Sequence, residues 1–166
     1  TRGCAQDTLL AQFNDPDSVS RLFEANPGQI AAIIVEPICG NTGCIPPMDG
    51  FLSTLRALCD QHGAALILDE VMTGYRVAYG SAASIYDVTP DLYCFGKVIG
   101  GGFPLAAYGG SARFMRQVAP DGPIYQAGTL SGNPVAVSAG IATLKHLTPD
   151  AYTRLEQLGA HLDAGL

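Results

Sequence analysis

The sequence predicts an α/β fold, with a mainly parallel sheet and flanking helices. Short apolar runs of strand length alternate with longer segments in which apolar residues recur at helical spacing. Strands that are separated by helices pair in parallel, because the helix carries the chain back to the edge where the strand began. The 166 residues, 48% of them hydrophobic, suffice for one sizeable core.

In the first half of the chain, turn and cap residues separate the predicted elements. Asn14 to Asp17 supply the cap and first turn of a helix, and Gly63 ends another. Pro46 and Pro47 precede that second helix. We expect a strand at 8–13, a helix at 17–25, a strand covered on both faces at 30–35, and a helix at 50–62.

The second half continues the same alternation. We expect a strand at 65–68, a short helical or looped segment through Ala83, a strand at 92–95, a glycine-weakened strand at 106–110, a helix from 133 or 134 to 146, and a helix from Pro149 that the end of the chain cuts off. No repeat or linker interrupts the pattern. We therefore expect residues 1–166 to form one incomplete domain.

Composition argues against several classes of function. The net charge of −6 gives no electrostatic support to nucleic-acid binding. No apolar run approaches the roughly 20 residues of a membrane span, and no signal peptide is evident. The five cysteines form no CxxC motif or metal-ligand cluster, so we expect no metal site, and reduced cysteines in a cytosol-like compartment.

Polar side chains stand at the carboxyl ends of three predicted strands, where ligands bind in parallel sheets. Glu36 follows the first of these strands, Asp69 and Glu70 the second, and Lys97 the third. The glycines at 100–102 lack the spacing of a dinucleotide fingerprint. We interpret Glu36 and Glu70 as residues that order the loops by hydrogen bonding.

Lys97 is one of two lysines in the chain and has no charged neighbour within five residues. Burial would lower the pKa of its ammonium group and leave a nucleophilic amine able to form a Schiff base. The alternative is a lysine at a strand end whose head group reaches solvent.

Asp69 and Lys97 together fit pyridoxal phosphate, which needs a lysine for its aldehyde and an acid for its pyridine nitrogen. Val71 would point the same way as Asp69 on an extended backbone and could pack on the ring. The alternative for Asp69 is a helix cap or a loop acid.

Four motifs in order carry a resemblance to a known family. They are Val35-Glu36-Pro37, Leu68-Asp69-Glu70-Val71, Gly96-Lys97 with its glycine run, and the segment 128–134. The chain resembles the class III aminotransferases, pyridoxal-phosphate enzymes of fold type I. Within them it is most similar to the glutamate-1-semialdehyde aminomutase subfamily, since Met72 stands where many transaminases have glutamine and Asn41 where others have glutamate.

The resemblance implies a role for each site residue. Lys97 would be the Schiff-base residue and proton shuttle, Asp69 the partner of the pyridine nitrogen, and Val71 a contact of the ring. Asn41 would donate to the phenolic oxygen. Gly128 and Thr129 would reach the cofactor phosphate of the neighbouring subunit of a homodimer.

The implied reaction exchanges amino and oxo groups within glutamate 1-semialdehyde and yields 5-aminolevulinate, the tetrapyrrole precursor, in the cytoplasm or a plastid. Family members are longer, so this chain would be part of the large, cofactor-binding domain, without the amino-terminal segment and the carboxyl-terminal small domain. The alternatives are a class III transaminase for ω- or β-amino acids and a catalytically incompetent fragment.

Overall fold

Four strands form one sheet in chain order, as the computed structural model of residues 2–166 shows; the side chains of Arg2 and Cys4 are outside the described part. The strands are β1 (Ala32–Val35), β2 (Ala65–Asp69), β3 (Leu92–Phe95) and β4 (Ala107–Gly110). The pairs β1–β2 and β2–β3 are parallel, and β3–β4 is antiparallel. The predicted α/β fold with a mainly parallel sheet is confirmed.

The helices lie before, between and after the strands. They are α1 (Arg2–Gln6), α2 (Pro16–Ala25), α3 (Phe51–His62), α4 (Ala112–Met115), α5 (Pro134–His146) and α6 (Pro149–Asp163), with 3-10 turns at Ala82–Ser84 and Lys97–Gly100. None of the helices within residues 2–166 combines the length and apolarity needed to cross a membrane. The helix α6 ends at Asp163.

Side-chain caps begin the helices where the sequence predicts them. The Asp15 carboxylate accepts a hydrogen bond from the Ser18 N–H at 3.0 Å, and Pro16 occupies the first helical position of α2. The Asn133 side chain accepts from the N–H groups of Val135 and Ala136 at the start of α5. These bonds satisfy N–H groups that have no partner within the first helical turn.

One face of the sheet carries the core. The helices α2 and α3 cover this face, and their buried residues pack on the inward side chains of β2. The core comprises Val19, Phe23, Phe51, Leu52, Leu55, Cys59, Ala64, Leu66, Leu68, Ala83 and Val88. Burial of this apolar surface is the main source of stability for this half of the structure.

Two expectations for the amino-terminal half are wrong. Residues 8–13 form no strand; instead the Gln12 N–H donates to the Ser18 hydroxyl at 3.0 Å, which leaves this segment beside α2 rather than in the sheet. The strand β1 is not covered on both faces within residues 2–166, because Ile34 is 65% exposed at the edge of the sheet. An apolar run cannot distinguish an edge strand from a central one.

Helix α5 packs closely on the 3-10 turn that starts at Lys97. A Cβ at Gly140 would lie 2.5 Å from the Ile99 carbonyl oxygen and 2.7 Å from Cδ2 of Leu105. Gly101, at φ +58°, ends the 3-10 turn against Thr143 and the Ala139 carbonyl. Only glycine permits this approach, which fixes the segment that follows β3.

Gly140→Ala should therefore lower the free energy of unfolding by about 1–3 kcal/mol through overpacking. Gly159→Ala is the matched control, because Gly159 lies in the exposed helix α6 with no atom within 4 Å of an added Cβ. The control should stabilise the protein by about 0.5–1 kcal/mol. Chemical denaturation measures both, and equal effects of the two substitutions would contradict the close packing of α5.

An ion pair ties α3 to the sheet. Oδ2 of Asp91 accepts from Nη1 of Arg56 at 2.7 Å and from the Leu66 N–H at 2.9 Å. Burial alone would raise the pKa of the Asp91 carboxyl, but the Leu66 N–H and the Arg56 guanidinium outweigh it and lower that pKa below its ordinary 3.8. Asp91 thus stabilises the fold in its charged form.

Asp91→Asn should cost about 1–3 kcal/mol of unfolding free energy at neutral pH. Because the native pKa of Asp91 is lowered, its contribution is complete above 3.8 and is lost as the pH falls through the native value. Denaturation curves of wild type and variant should therefore converge in acid. Asp60→Asn, which removes the exposed partner of Arg56, should cost less than about 1 kcal/mol. If the difference in unfolding free energy between wild type and Asp91→Asn stays the same at acid pH, the role of Asp91 is refuted.

Candidate functional site

The register of the sheet brings the predicted strand-end residues to one edge. Val35 pairs with Leu68, so Glu36 follows β1 next to the position of Asp69. Asp69 pairs with Cys94, and Lys97 comes three residues after Cys94. The predicted convergence at the carboxyl edge of the parallel strands is confirmed at the level of the backbone.

Asp69 lies on the sheet face opposite the core, because its neighbour Leu68 points into the core and side chains alternate along a strand. Its Oδ1 accepts the Val71 N–H at 3.0 Å. Within residues 2–166 its second oxygen, Oδ2, has no hydrogen-bond partner. The carboxylate is thus oriented by the backbone, with one oxygen left for a ligand that donates a proton.

Cys94 stands beside Asp69 on the same face, since paired residues of parallel strands share a face. Burial raises the pKa of the Cys94 thiol, and the Asp69 charge adds to this shift. The raised pKa keeps the thiol neutral and nucleophilically inert. Of the cysteines in the described part, Cys39, Cys44, Cys59 and Cys94 are all free thiols.

Val71 connects the Asp69 turn to Lys97. A Cβ at Gly96 would lie 3.3 Å from Cγ1 of Val71, so the valine packs on the backbone just before Lys97. The turn at 71–73 follows Glu70 directly, so the expectation that Val71 continues the extended backbone is wrong. At the start of this turn the Asp69 carboxylate accepts the Val71 N–H, a local bond typical of aspartate.

Lys97 follows Gly96 at the end of β3 and opens the 3-10 turn. Its φ of +46° is in the left-handed region, which non-glycine residues seldom adopt. The sheet on one side and the packing of Gly101 on α5 on the other hold this conformation. Strain of this kind concentrates at functional sites.

The Lys97 side chain is exposed, and within residues 2–166 it has no hydrogen bond or ion pair. The expected burial is therefore wrong for this chain taken alone. The glycines around it offer no side chains to cover the amine, which agrees with the alternative of a head group that reaches solvent. The Lys97 amine is therefore accessible to a ligand.

The loop that carries Asn41 is tied to the same edge. Oε2 of Glu36 accepts the Gly40 N–H at 3.0 Å, and the Met72 side chain packs against Gly40 so closely that an added Cβ would clash. Asn41 is exposed at the tip of this loop. Asn41 and Met72 are thus in adjacent segments. This position is required if the Asn41 amide is to donate the hydrogen bond that a glutamine at position 72 would otherwise donate.

Glu70 orders the loop segments that follow β2. It is fully buried and accepts hydrogen bonds from the Thr73 and Ser81 hydroxyls and from the N–H groups of Ala82 and Ala83. The expected ordering of loops by Glu70 is confirmed. The sequence does not indicate most of the donors, because Ser81, Ala82 and Ala83 are distant from Glu70 along the chain.

Gly128 and Thr129 lie in an exposed turn before α5, where the Ser131 N–H donates to the Gly128 carbonyl at 2.9 Å. In the described part of the chain no hydrogen bond joins Thr129 to Asp69, Val71 or Lys97. The roles of Gly128 and Thr129 therefore stay predictions.

The arrangement suits a flat ring that carries a proton at one end and an aldehyde at the other. An oriented carboxylate with a free oxygen, an apolar valine beside it and an unpaired amine at the next strand end supply complementary groups. No group of three or more His, Cys, Asp or Glu in residues 2–166 is placed to hold a metal ion. By its fold, the chain is part of an α/β protein, and the carboxyl edge of its parallel strands is the candidate ligand site.

The family model described as aminotransferase class-III matches residues 5–166. The chain belongs to this family. Glutamate-1-semialdehyde 2,1-aminomutase 2 of Bacillus mycoides (strain KBAB4) is 57% identical over 164 residues, which are 99% of this chain and 38% of that protein. The same name and identity hold for the relative from Bacillus thuringiensis (strain Al Hakam).

Solved structures agree with this assignment. A transaminase with PLP bound superposes with a TM-score of 0.90 and 35% identity over 97% of this chain and 38% of that one. A glutamate-1-semialdehyde-aminomutase from Pseudomonas aeruginosa PAO1 in complex with PMP gives 0.83 and 34%, over 95% and 37%. A β-phenylalanine aminotransferase from Variovorax paradoxus gives 0.87 and 39%, over 94% and 36%. The chain spans about two fifths of the length of these proteins.

Proposed function

We propose that the whole protein is an aminomutase that converts glutamate 1-semialdehyde into 5-aminolevulinate with pyridoxal 5'-phosphate, and that this chain is the central part of its cofactor-binding large domain. The observation that carries the proposal is the packing of Val71 on Gly96, which brings the turn that orients Asp69 against the backbone just before Lys97. The 57% identity to the Bacillus aminomutases supports the choice of substrate.

The residues of this chain fit the cofactor. Oδ2 of Asp69 would accept a hydrogen bond from the protonated pyridine nitrogen, and Val71 would contact the ring. Lys97 would hold the aldehyde carbon covalently through Nζ. Asn41 would donate its amide N–H to the phenolic oxygen, a bond that the neighbouring Met72 cannot donate.

When bound, pyridoxal phosphate supplies a protonated ring that withdraws electrons from the carbon next to a substrate amine. Asp69 would keep the ring nitrogen protonated, because a nearby anion favours the charged form of a base. Released from its covalent role, the Lys97 amine would move a proton between substrate and cofactor carbons. The exchange of amino and oxo groups needs no external amino donor, since both groups belong to one substrate.

A homodimer that shares its cofactor site is part of this proposal. The turn that contains Gly128 and Thr129 is exposed, and its large apolar neighbours Tyr125 and Leu130 are 83% and 57% exposed. Exposed apolar groups of this size favour burial against another surface. We propose that Thr129 and the Gly128 N–H bind the cofactor phosphate of the partner subunit.

A cytoplasmic location fits the four free thiols of the described residues. Segments of the whole protein outside this chain would complete the binding site for the cofactor phosphate and close over the substrate.

The alternative of a class III transaminase is favoured by the β-phenylalanine aminotransferase neighbour, whose backbone superposes as well as that of the aminomutase.

Lys97→Ala should abolish covalent attachment of the cofactor, because no other amine follows a strand at this edge. Borohydride reduction of the full-length protein with pyridoxal phosphate, followed by peptide mass spectrometry, should label Lys97 in wild type and give no label in the variant. Lys145→Ala is the control, since Lys145 lies in the last turn of α5 and should leave the label intact. A label that persists in Lys97→Ala would remove Lys97 from its role.

Product analysis should separate the two candidate activities. The full-length protein, given glutamate 1-semialdehyde and no oxo acid, should form 5-aminolevulinate over many turnovers. An ω- or β-amino acid transaminase would instead depend strictly on an added oxo acid, and that dependence would overturn the aminomutase assignment. Retained cofactor label without either activity would indicate a binding-competent but inactive protein.

A further inference from the structure

We propose that Glu70 is a positioning residue that aims Asp69 at the ring nitrogen of pyridoxal phosphate. This inference rests on the proposed function. Glu70 follows Asp69 directly, but the two side chains leave opposite faces of the sheet edge. Glu70 therefore acts from the core side, and its effect on the ring passes through Asp69.

The Glu70 carboxylate joins two separate segments. Its Oε2 accepts from the Thr73 hydroxyl and the Ala82 N–H, the latter at 3.0 Å. Its Oε1 accepts from the Ser81 hydroxyl and the Ala83 N–H, the latter at 3.1 Å. The turn after Asp69 is thereby fastened to the start of the 3-10 turn Ala82–Ser84.

The backbone of Glu70 is held as firmly as its side chain. Its N–H donates to the Cys94 carbonyl at 2.9 Å, and its carbonyl accepts the Gly74 N–H at 2.7 Å. The first bond extends the β2–β3 pairing one residue past Asp69, and the second closes the turn 71–73. Every polar group of Glu70 thus contributes to the geometry around Asp69.

The connection to Asp69 runs through Val71. The Val71 N–H that orients Oδ1 of Asp69 belongs to the turn that Glu70 closes. If that turn loosens, the Val71 N–H moves and the carboxylate loses its direction. Pre-organisation of this kind is what a fixed acid contributes to binding a ring nitrogen.

The donors to Glu70 show why its substitution is informative. Each carboxylate oxygen receives one hydroxyl and one backbone N–H, and no ion pair to Glu70 exists in the described part of the chain. Glutamine has the same shape, but its NH₂ group would face a backbone N–H on whichever side it lies. Glu70→Gln therefore disturbs the turn without opening a cavity.

The experiment compares two ligands on the full-length protein freed of cofactor. Pyridoxal phosphate can bond to Asp69 through its ring nitrogen, whereas the 1-deaza analogue, with CH in place of that nitrogen, cannot. Glu70→Gln should weaken pyridoxal phosphate by about ten-fold, the value of a charge-assisted hydrogen bond, and leave the analogue nearly unchanged. Thr73→Val, which removes one donor to Oε2, should act in the same direction more weakly.

Two further variants serve as controls for the preference for pyridoxal phosphate over the analogue. Asp69→Ala should remove the preference for pyridoxal phosphate altogether, and Ser84→Ala should keep it, because the Ser84 hydroxyl bonds only the Ser81 carbonyl. Hydrogen exchange of the cofactor-free protein should be faster at 71–74 in Glu70→Gln. This readout reports on the turn without any cofactor.

The outcomes separate the inference from the proposed function. Equal weakening of both ligands in Glu70→Gln and Thr73→Val, or unchanged binding of both, would overturn the positioning role. Absence of a Lys97 label, or of any preference for pyridoxal phosphate, in wild type would overturn the proposed function and the inference with it.

Discussion

The site depends on the parallel pairing of β2 with β3. This pairing places Asp69 opposite Cys94 and continues through the bond from the Glu70 N–H to the Cys94 carbonyl. Parallel strands end at the same edge of a sheet. An acid that ends one strand and a lysine that follows the next therefore lie at the same edge, and no direct contact between them is needed. The shared edge exists only because α3 and the segment after β2 return the chain to its starting side.

Glycines make the second half of this edge possible. Gly96 leaves room for Val71, and Gly101 lets the 3-10 turn approach α5. Between them Lys97 adopts a left-handed conformation that its own side chain disfavours. The surrounding packing offsets this local cost, and the amine is held at a defined position while its end stays free.

The two faces of the sheet carry different groups of residues. Helices α2 and α3 cover one face and provide the core, while Asp69 and Cys94 lie on the other. Ile34 and Tyr108 on that second face are 65% and 45% exposed. The core and the candidate site therefore lie on opposite faces of the sheet, and we propose that Glu70, which belongs to the core side, connects them.

The amino-acid sequence alone predicts the order of the elements, most of their bounds and the residues that end the strands. Apolar runs, caps such as Asp15 and Asn133, and the glycine at 63 are local signals, so they can be read from neighbouring residues. It misplaced a strand at 8–13 and the cover of β1, because strand pairing depends on partners distant in the chain. The packing of Val71 on Gly96 and the network of Glu70 with residues 81–83 depend on contacts between segments that are distant in the chain, so no local pattern encodes them. The exposure of Lys97 likewise depends on which side chains the fold places around it.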